Sequence, residues 1–249
     1  MQDNKIRLNK FIAQSGLCSR RDADVLIEEG KVKVNGKLIS EVGFKISPKD
    51  EVKVNGEVLR AKKFDYIVFN KPAGYITTCD DEKNRKTIYE FFPEHLKHLK
   101  PVGRLDKDSS GLLLMTNDGE LINQMTHPSI KIPKKYRVVV KGKMKLTDLE
   151  QMAKGIEIEP NKMAYADVEL LEFENNKNSV LEVTLYQGLN RQIRKMTDYL
   201  GFPVISLKRI SHGALNLSTL KRGQYKFLKP NQVKELKNYI RKVEKQSNI

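Results

Sequence analysis

The sequence predicts an α+β protein in two unequal parts, a small module of two helices and a sheet over residues 1–60 and a larger domain over 64–244. Three observations carry this. The chain has 249 residues, 39% of them hydrophobic, enough for one large or two unequal packed domains and too apolar for a disordered basic tail. Helical and alternating patterns follow one another unevenly, without the strict alternation of a βα repeat. Arg60-Ala61-Lys62-Lys63 is a polar, basic break between two patterned regions.

In the first part, Leu8, Phe11 and Ile12 recur at helical spacing. Ser19 is placed to N-cap a second helix over residues 20–29, with Asp22 as capping-box acid, and Gly30 stops it. Lys31 to Ile39 alternates and turns on Asn35-Gly36, and Glu51 to Leu59 repeats the pattern on Asn55-Gly56; Asn-Gly is the strongest short hairpin signal. In the second part, residues 65–70 read as a strand and 87–92 as a short helix closed by Pro93. Val102 to Leu105 reads as extended, followed by a polar turn and a buried strand over 112–116. Asn117-Asp118-Gly119 caps a helix over 120–126. Strands are expected at 135–140, 166–173 and 180–185, and helices at 146–154, 190–200 and 231–244, with residues 245–249 frayed.

The chain carries 46 Lys and Arg against 31 Asp and Glu, a net charge of +15. The excess is concentrated: residues 129–145 hold seven bases and no acid, residues 187–229 net +8, and the intervening 146–186 net −6. Such blocks point to a polyanionic partner, nucleic acid before an anionic membrane, lining a cleft from which the acidic segment faces away. No apolar run exceeds four residues, far short of a membrane span, and no apolar signal core follows Met1, so a soluble cytoplasmic protein is expected. Cys18 and Cys79 give neither a disulfide framework nor a zinc pattern. His95 and His98 form a lone His-x-x-His, and there is no Walker loop, dinucleotide fingerprint or serine elbow. A site without cofactor or metal is expected.

Three stretches can carry chemistry. Gly103-Arg104-Leu105-Asp106-Lys107-Asp108-Ser109-Ser110-Gly111 displays carboxylates on a loop between apolar segments, where flanking Arg104 and Lys107 favour an ionised nucleophile or base. Asp106 and Asp108 are both candidates, and either also suits a turn aspartate capping its own backbone. Arg191 and Arg194, three apart, share one face at the start of a helix whose Ile193, Met196 and Leu200 are buried; unpaired cations there are unfavourable to the helix dipole and call for an anion. Tyr136 lies among Lys134, Lys135 and Arg137, which suits base stacking with phosphate contacts.

Read together, these segments resemble the bacterial ribosomal RNA pseudouridine synthases of the RsuA/RluB/RluF group. The resemblance rests on Lys71-Pro72-Ala73-Gly74, on Gly103-Arg104-Leu105-Asp106 with Ser110 to Leu114 and Thr116-Asn117-Asp118-Gly119, on Lys135-Tyr136-Arg137-Val138, and on Asn190 to Met196. Arg7 to Ile12, Ser19 to Ala23 and the first Val-Asn-Gly hairpin resemble a small RNA-binding module shared with a ribosomal protein and tyrosyl-tRNA synthetases. The resemblance implies a mixed, mainly antiparallel catalytic sheet and a cofactor-free, metal-free, base-flipping isomerisation by a monomer. It assigns Asp106 as the essential aspartate and Asp108 to the turn. It assigns Tyr136 to stack on the target base, Arg194 to pair with Asp106, and Arg104 to fill the gap in the duplex. RNA contacts are expected at Arg7, Lys10, Arg20, Arg21, Arg104, Lys134, Lys135 and Arg191. The expected partner is ribosomal RNA or a pre-ribosomal particle. Lys107-Asp108-Ser109 and Gln187 to Gln192 are most similar to the branch acting on 23S rRNA; 16S rRNA, tRNA, and a non-catalytic ribosome-assembly role are the alternatives.

Overall fold

A computed structural model of the chain describes residues 5–60, 63–79 and 81–247; Ala61 and Lys62 of the expected linker, and Asn248 and Ile249 of the expected frayed end, lie outside them. The chain divides into two compact units between Phe64 and Asp65, and each is described by itself.

The first unit runs β1 (Ile6–Arg7), α1 (Leu8–Gln14), α2 (Arg20–Glu28), β2 (Val32–Val34), β3 (Lys37–Ile39), β4 (Lys45–Ile46), β5 (Val52–Val54) and β6 (Glu57–Val58). Ser19 and Asp22 form the capping box that starts α2. Asn35 and Gly36 adopt φ of 49° and 81°, and Asn55 and Gly56 φ of 51° and 88°, the left-handed pairs a two-residue hairpin demands. The hairpins join as a four-stranded sheet, β3-β2-β5-β6, and β1 pairs β4. Leu8, Ile12, Ala23, Ile27, Val32, Ile46 and Val52 close the core between helices and sheet.

The second unit starts with β7 (Tyr66–Lys71), two 3-10 turns (Ile88–Phe91, Glu94–Leu96), β8 (Lys100–Pro101), β9 (Ser110–Thr116) and α3 (Gly119–Thr126), capped by the Asp118 side chain. It continues through β10 (Lys134–Lys141), α4 (Leu146–Lys154), β11 (Ile156–Glu159), β12 (Lys162–Ala164), β13 (Asp167–Glu174), β14 (Asn178–Leu185) and α5 (Gln192–Tyr199). It ends with β15 (Val204–His212), β16 (Leu215–Asn216), β17 (Tyr225–Phe227) and α6 (Pro230–Ser247). The main sheet orders β13-β14-β10-β15-β9-β7-β17, with β16 on β15 and β8 on β9. Its described pairings are antiparallel except β9 with β15, so the mixed, mainly antiparallel sheet is as expected.

Three local expectations need correction and one element is added. Val102 to Leu105 is not a strand: the short strand ends at Pro101 and Gly103, at φ +74°, bends the chain. The β11–β12 hairpin, turning at Pro160-Asn161, is an addition to the expected elements. Arg191 is not helical; it sits left-handed at φ +51° and α5 begins at Gln192. The last helix continues to Ser247, because Leu236 and Ile240 anchor it and Lys237 bonds Asp118 at 2.8 Å.

The single parallel pairing depends on Gly111. Its φ is +109°, and a Cβ there would lie 2.2 Å from the Arg209 carbonyl oxygen. Gly111→Ala should therefore lose about 3 kcal/mol, lowering Tm by roughly 6–12 °C for a unit of this size, readable by calorimetry.

Candidate active site

The turn bearing Asp106 is fixed through its main chain. Ser109 N–H donates to the Asp106 carbonyl at 3.0 Å, and β9 begins at the next residue. Lys71, the last residue of β7, is fully buried. Its Nζ donates to the carbonyls of Ser109 at 2.7 Å, Asp106 at 3.0 Å, Pro72 at 3.2 Å and Lys107 at 3.4 Å. Gly74 N–H donates to the Lys107 carbonyl at 2.7 Å. Thr77 Oγ1 donates to the Leu105 carbonyl at 2.8 Å and accepts from Leu105 N–H at 3.3 Å. Every residue from Leu105 to Lys107, and Ser109 after them, is thus held by its backbone while the Asp106 side chain is left half-buried. Burial pushes the Lys71 ammonium down to about 8; the Asp106 and Asp108 carboxylates oppose that push and Arg209 adds to it.

One row of the sheet links this turn to the tyrosine. Lys71 pairs with Gly111, Gly111 with Arg209, and Arg209 with Tyr136. Arg209 is 2% exposed, and its Nε donates to the Leu112 carbonyl at 2.7 Å. Tyr136 is 8% exposed and belongs to the main core with Val138, Leu185 and Ile193, deeper than an aromatic on an open basic strand would lie.

The arginine segment reaches the same turn from the other end of the chain. Arg191 Nη1 lies 3.8 Å from Asp108 Oδ2, and Arg194 Nη2 donates to the Asp108 carbonyl at 3.0 Å. Among the described residues there is no Arg194–Asp106 ion pair. Arg194 bonds main chain two residues further on, and its Nε is buried without a partner. Asp108 serves the turn as a receiver of both arginines rather than as a cap for its own backbone. Gln187 and Gln192 brace this segment against the β11–β12 hairpin. Gln192 Nε2 donates to the Tyr165 carbonyl at 2.9 Å, and Gln187 Oε1 accepts from Tyr165 N–H at 3.0 Å.

The basic blocks do not simply line a cleft. Lys134 turns inward to donate to the Ile132 carbonyl at 3.1 Å, and burial, then Arg209, pushes its ammonium down to about 8. Lys135 and Arg137 alternate away from buried Tyr136 and pair with Glu182 and Glu172. Lys195 pairs with Glu159. The acidic segment faces part of the basic blocks instead of pointing away, because β14 pairs with β10, β13 lies beside β14, and Glu159 of β11 meets Lys195. Lys134 is thus turned inward, while Lys135 stays exposed beside Glu182. Arg104 is exposed, as are Arg7, Arg20 and Arg21 in the first unit, where Lys10 is half-buried. Among the described residues no group of three or more His, Cys, Asp or Glu is placed to hold a metal. Sequence reasoning gives no role to Lys71, Thr77 or Arg209; the available signal is a lysine ending the apolar run Tyr66 to Phe69 immediately before a proline.

Residues 65–199 match the family described as RNA pseudouridylate synthase, and residues 6–52 match the S4 domain. The chain belongs to the RNA pseudouridine synthase family. The synthase is 42% identical over 232 residues to the ribosomal large subunit pseudouridine synthase B of Bacillus subtilis, covering 93% of this chain and 95% of that one. It is 36% identical over 239 residues to the dual-specificity RNA pseudouridine synthase RluF of Escherichia coli, covering 95% and 80%. A solved pseudouridylate synthase superposes with a TM-score of 0.67 at 30% identity, covering 93% of this chain and 99% of that one. These relatives bear out the resemblance to the RluB and RluF enzymes. No helix among the described residues is long and apolar enough to cross a membrane.

Lys71→Met removes the donor to four carbonyls of the synthase, and should cost about 2 kcal/mol or more at pH 7. The unfolded lysine keeps its proton to about 10.5 and the folded one releases it near 8. Between those values the unfolded chain holds the extra proton, so rising pH favours the folded wild type. The wild-type advantage over Lys71→Met should grow from pH 8 to 10.5, measured by denaturant midpoints across that window.

Proposed function

We propose that the synthase converts a uridine of 23S ribosomal RNA to pseudouridine in the cytoplasm, with Asp106 as its catalytic carboxylate. The observation that carries this reading is the presentation of Asp106. Its turn is held by Lys71, Gly74 and Thr77, is reached by Arg191 and Arg194 at Asp108, and leads into the sheet row that ends at Tyr136. The large-subunit target is supported by the name of the Bacillus subtilis relative, matched over almost its whole length.

A uridine within a helix must leave the stack before a carboxylate can reach its ribose, at a cost of a few kcal/mol. Arg104, exposed two residues before Asp106, fills the gap or holds a phosphate. Asp106 then attacks the anomeric carbon, or takes the neighbouring ribose proton to leave a glycal. On either route the bond from the anomeric carbon to N1 breaks, the uracil turns, and a bond to C5 forms. C5 gives up a proton and N1 gains one, so atoms and electrons balance without an oxidant or reductant. Arg194 orients the carboxylate through a charge-assisted bond, which requires its guanidinium to turn from the Asp108 carbonyl to the Asp106 side chain. Tyr136 packs against the uracil, which requires its ring to shift from the buried position.

Asp106→Asn should bind an rRNA transcript as the wild type does and form no pseudouridine; normal product from that variant would remove the catalytic assignment. Mapping pseudouridines in rRNA and tRNA from a deletion strain identifies the target. In the S4 unit, the exposed pair Arg20 and Arg21 grips backbone phosphate. Replacing both by alanine should weaken RNA binding and reduce the slope of log K against log[salt] by about 1 for each phosphate no longer held. An unchanged slope would exclude them as phosphate ligands.

A further inference from the structure

Beside the Asp106 turn lies a groove of about 780 Å³ that the chemistry above leaves unused. Ile76, Pro101 and Ile122 give it an apolar lining, Thr77 and Thr126 line it with hydroxyl-bearing side chains, and Arg104 borders it. Ile76 in its wall is held by main-chain bonds: its N–H donates to the Lys86 carbonyl at 2.9 Å and its carbonyl accepts from Ile88 N–H at 3.1 Å. Arg85 Nη2 pairs with Asp81 at 2.6 Å.

We propose that this groove receives one unpaired nucleotide of the RNA next to the target uridine, its base inward on the apolar lining and its phosphate outward on Arg104. The proposal rests on the reading of Asp106 as the catalytic carboxylate. Two residues of extended chain span at most about 7 Å, so a ligand held at Arg104 and a uridine held at Asp106 are immediate neighbours. An apolar lining does nothing for a phosphate and suits the face of an unstacked base, which is how single-stranded RNA is held. Asp81, Glu82, Lys83 and Arg85 also line the groove and their charges offset one another, Asp81 being paired with Arg85, whereas Arg104 has no acidic partner among the described residues and is free to take a phosphate. Thr77 couples the two places, since it lines the groove and also bonds Leu105 of the turn.

The test fills the groove. Thr126 is exposed at the end of α3, its hydroxyl donates to the Ile122 carbonyl of its own helix and its methyl faces Gly103, so Thr126→Trp fills the groove from the α3 side and removes none of the hydrogen bonds that hold the Asp106 turn. On an rRNA fragment carrying the target, the variant should bind at least tenfold more weakly than the wild type. On the same fragment made abasic at the neighbouring position, wild type and variant should bind alike. Equal binding by both proteins on the intact fragment, or the same loss on both fragments, would overturn the proposal. Should the tryptophan variant fail to fold, wild type alone carries the test, with abasic sites placed one at a time around the uridine. A tenfold loss at one adjacent position is expected, and none at any adjacent position would overturn it. Pseudouridine formation by wild type on the intact fragment reads the catalytic assignment separately.

Discussion

A buried ammonium group whose close partners are main-chain carbonyls governs the active-site end of this molecule. Lys71 Nζ has three protons and four carbonyls within 3.4 Å, three of them belonging to the Asp106 turn. A lysine taken out of water is costly unless its hydrogen bonds are all remade, and here only one backbone path remakes them. The turn is therefore as well determined as a strand, although it has no regular structure of its own. The carboxylate it carries is placed by the main chain and remains free to meet substrate.

The charge distribution has two uses that composition cannot separate. Part of the basic excess is engaged within the chain: Arg209 stitches β15 to β9, Lys134 fastens the start of β10, and Lys195 and the exposed Lys135 and Arg137 pair with acids. Arg104 at the turn and Arg20 and Arg21 in the S4 unit stay exposed, outside these pairs. Part of the charge is thus offset locally, so the net charge overstates the electrostatic footprint offered to RNA.

Much of the fold is legible in sequence because it depends on local rules. The Asn-Gly hairpins, the Ser19 capping box, the Asp118 cap and the α4 helix each follow from the conformations that a few adjacent residues allow. What escapes depends on distant partners. The β11–β12 hairpin has a short alternating strand, Ile156 to Glu159, and a Pro160-Asn161 turn, but too little pattern to stand alone; it is secured by Gln187, Gln192 and Lys195 from a later segment. Arg191 looks helical from its spacing to Arg194, yet the left-handed turn at that residue is what sends both arginines to Asp108. Sequence places Arg194 against a carboxylate; the bond ends on a carbonyl, a distinction that residue identity does not encode. Lys71 is readable as a motif residue but not as a buried one, since burial is decided by the turn that covers it.

Gly111 has a consequence for folding fidelity. Lys71, Gly111, Arg209 and Tyr136 occupy one row of the sheet, and successive residues of a strand face opposite sides. A slip of β7 or β10 by one position would exchange the faces of every side chain on that strand. It would put Lys71 outside the turn or Tyr136 outside the core, and a slip of β9 would bring a residue with a Cβ to the crowded place beside Arg209. Near-native registers are thus excluded by the same four residues that assemble the site. Competence for chemistry and correctness of strand pairing are one condition, so a population of misregistered but partly active molecules has no place to exist.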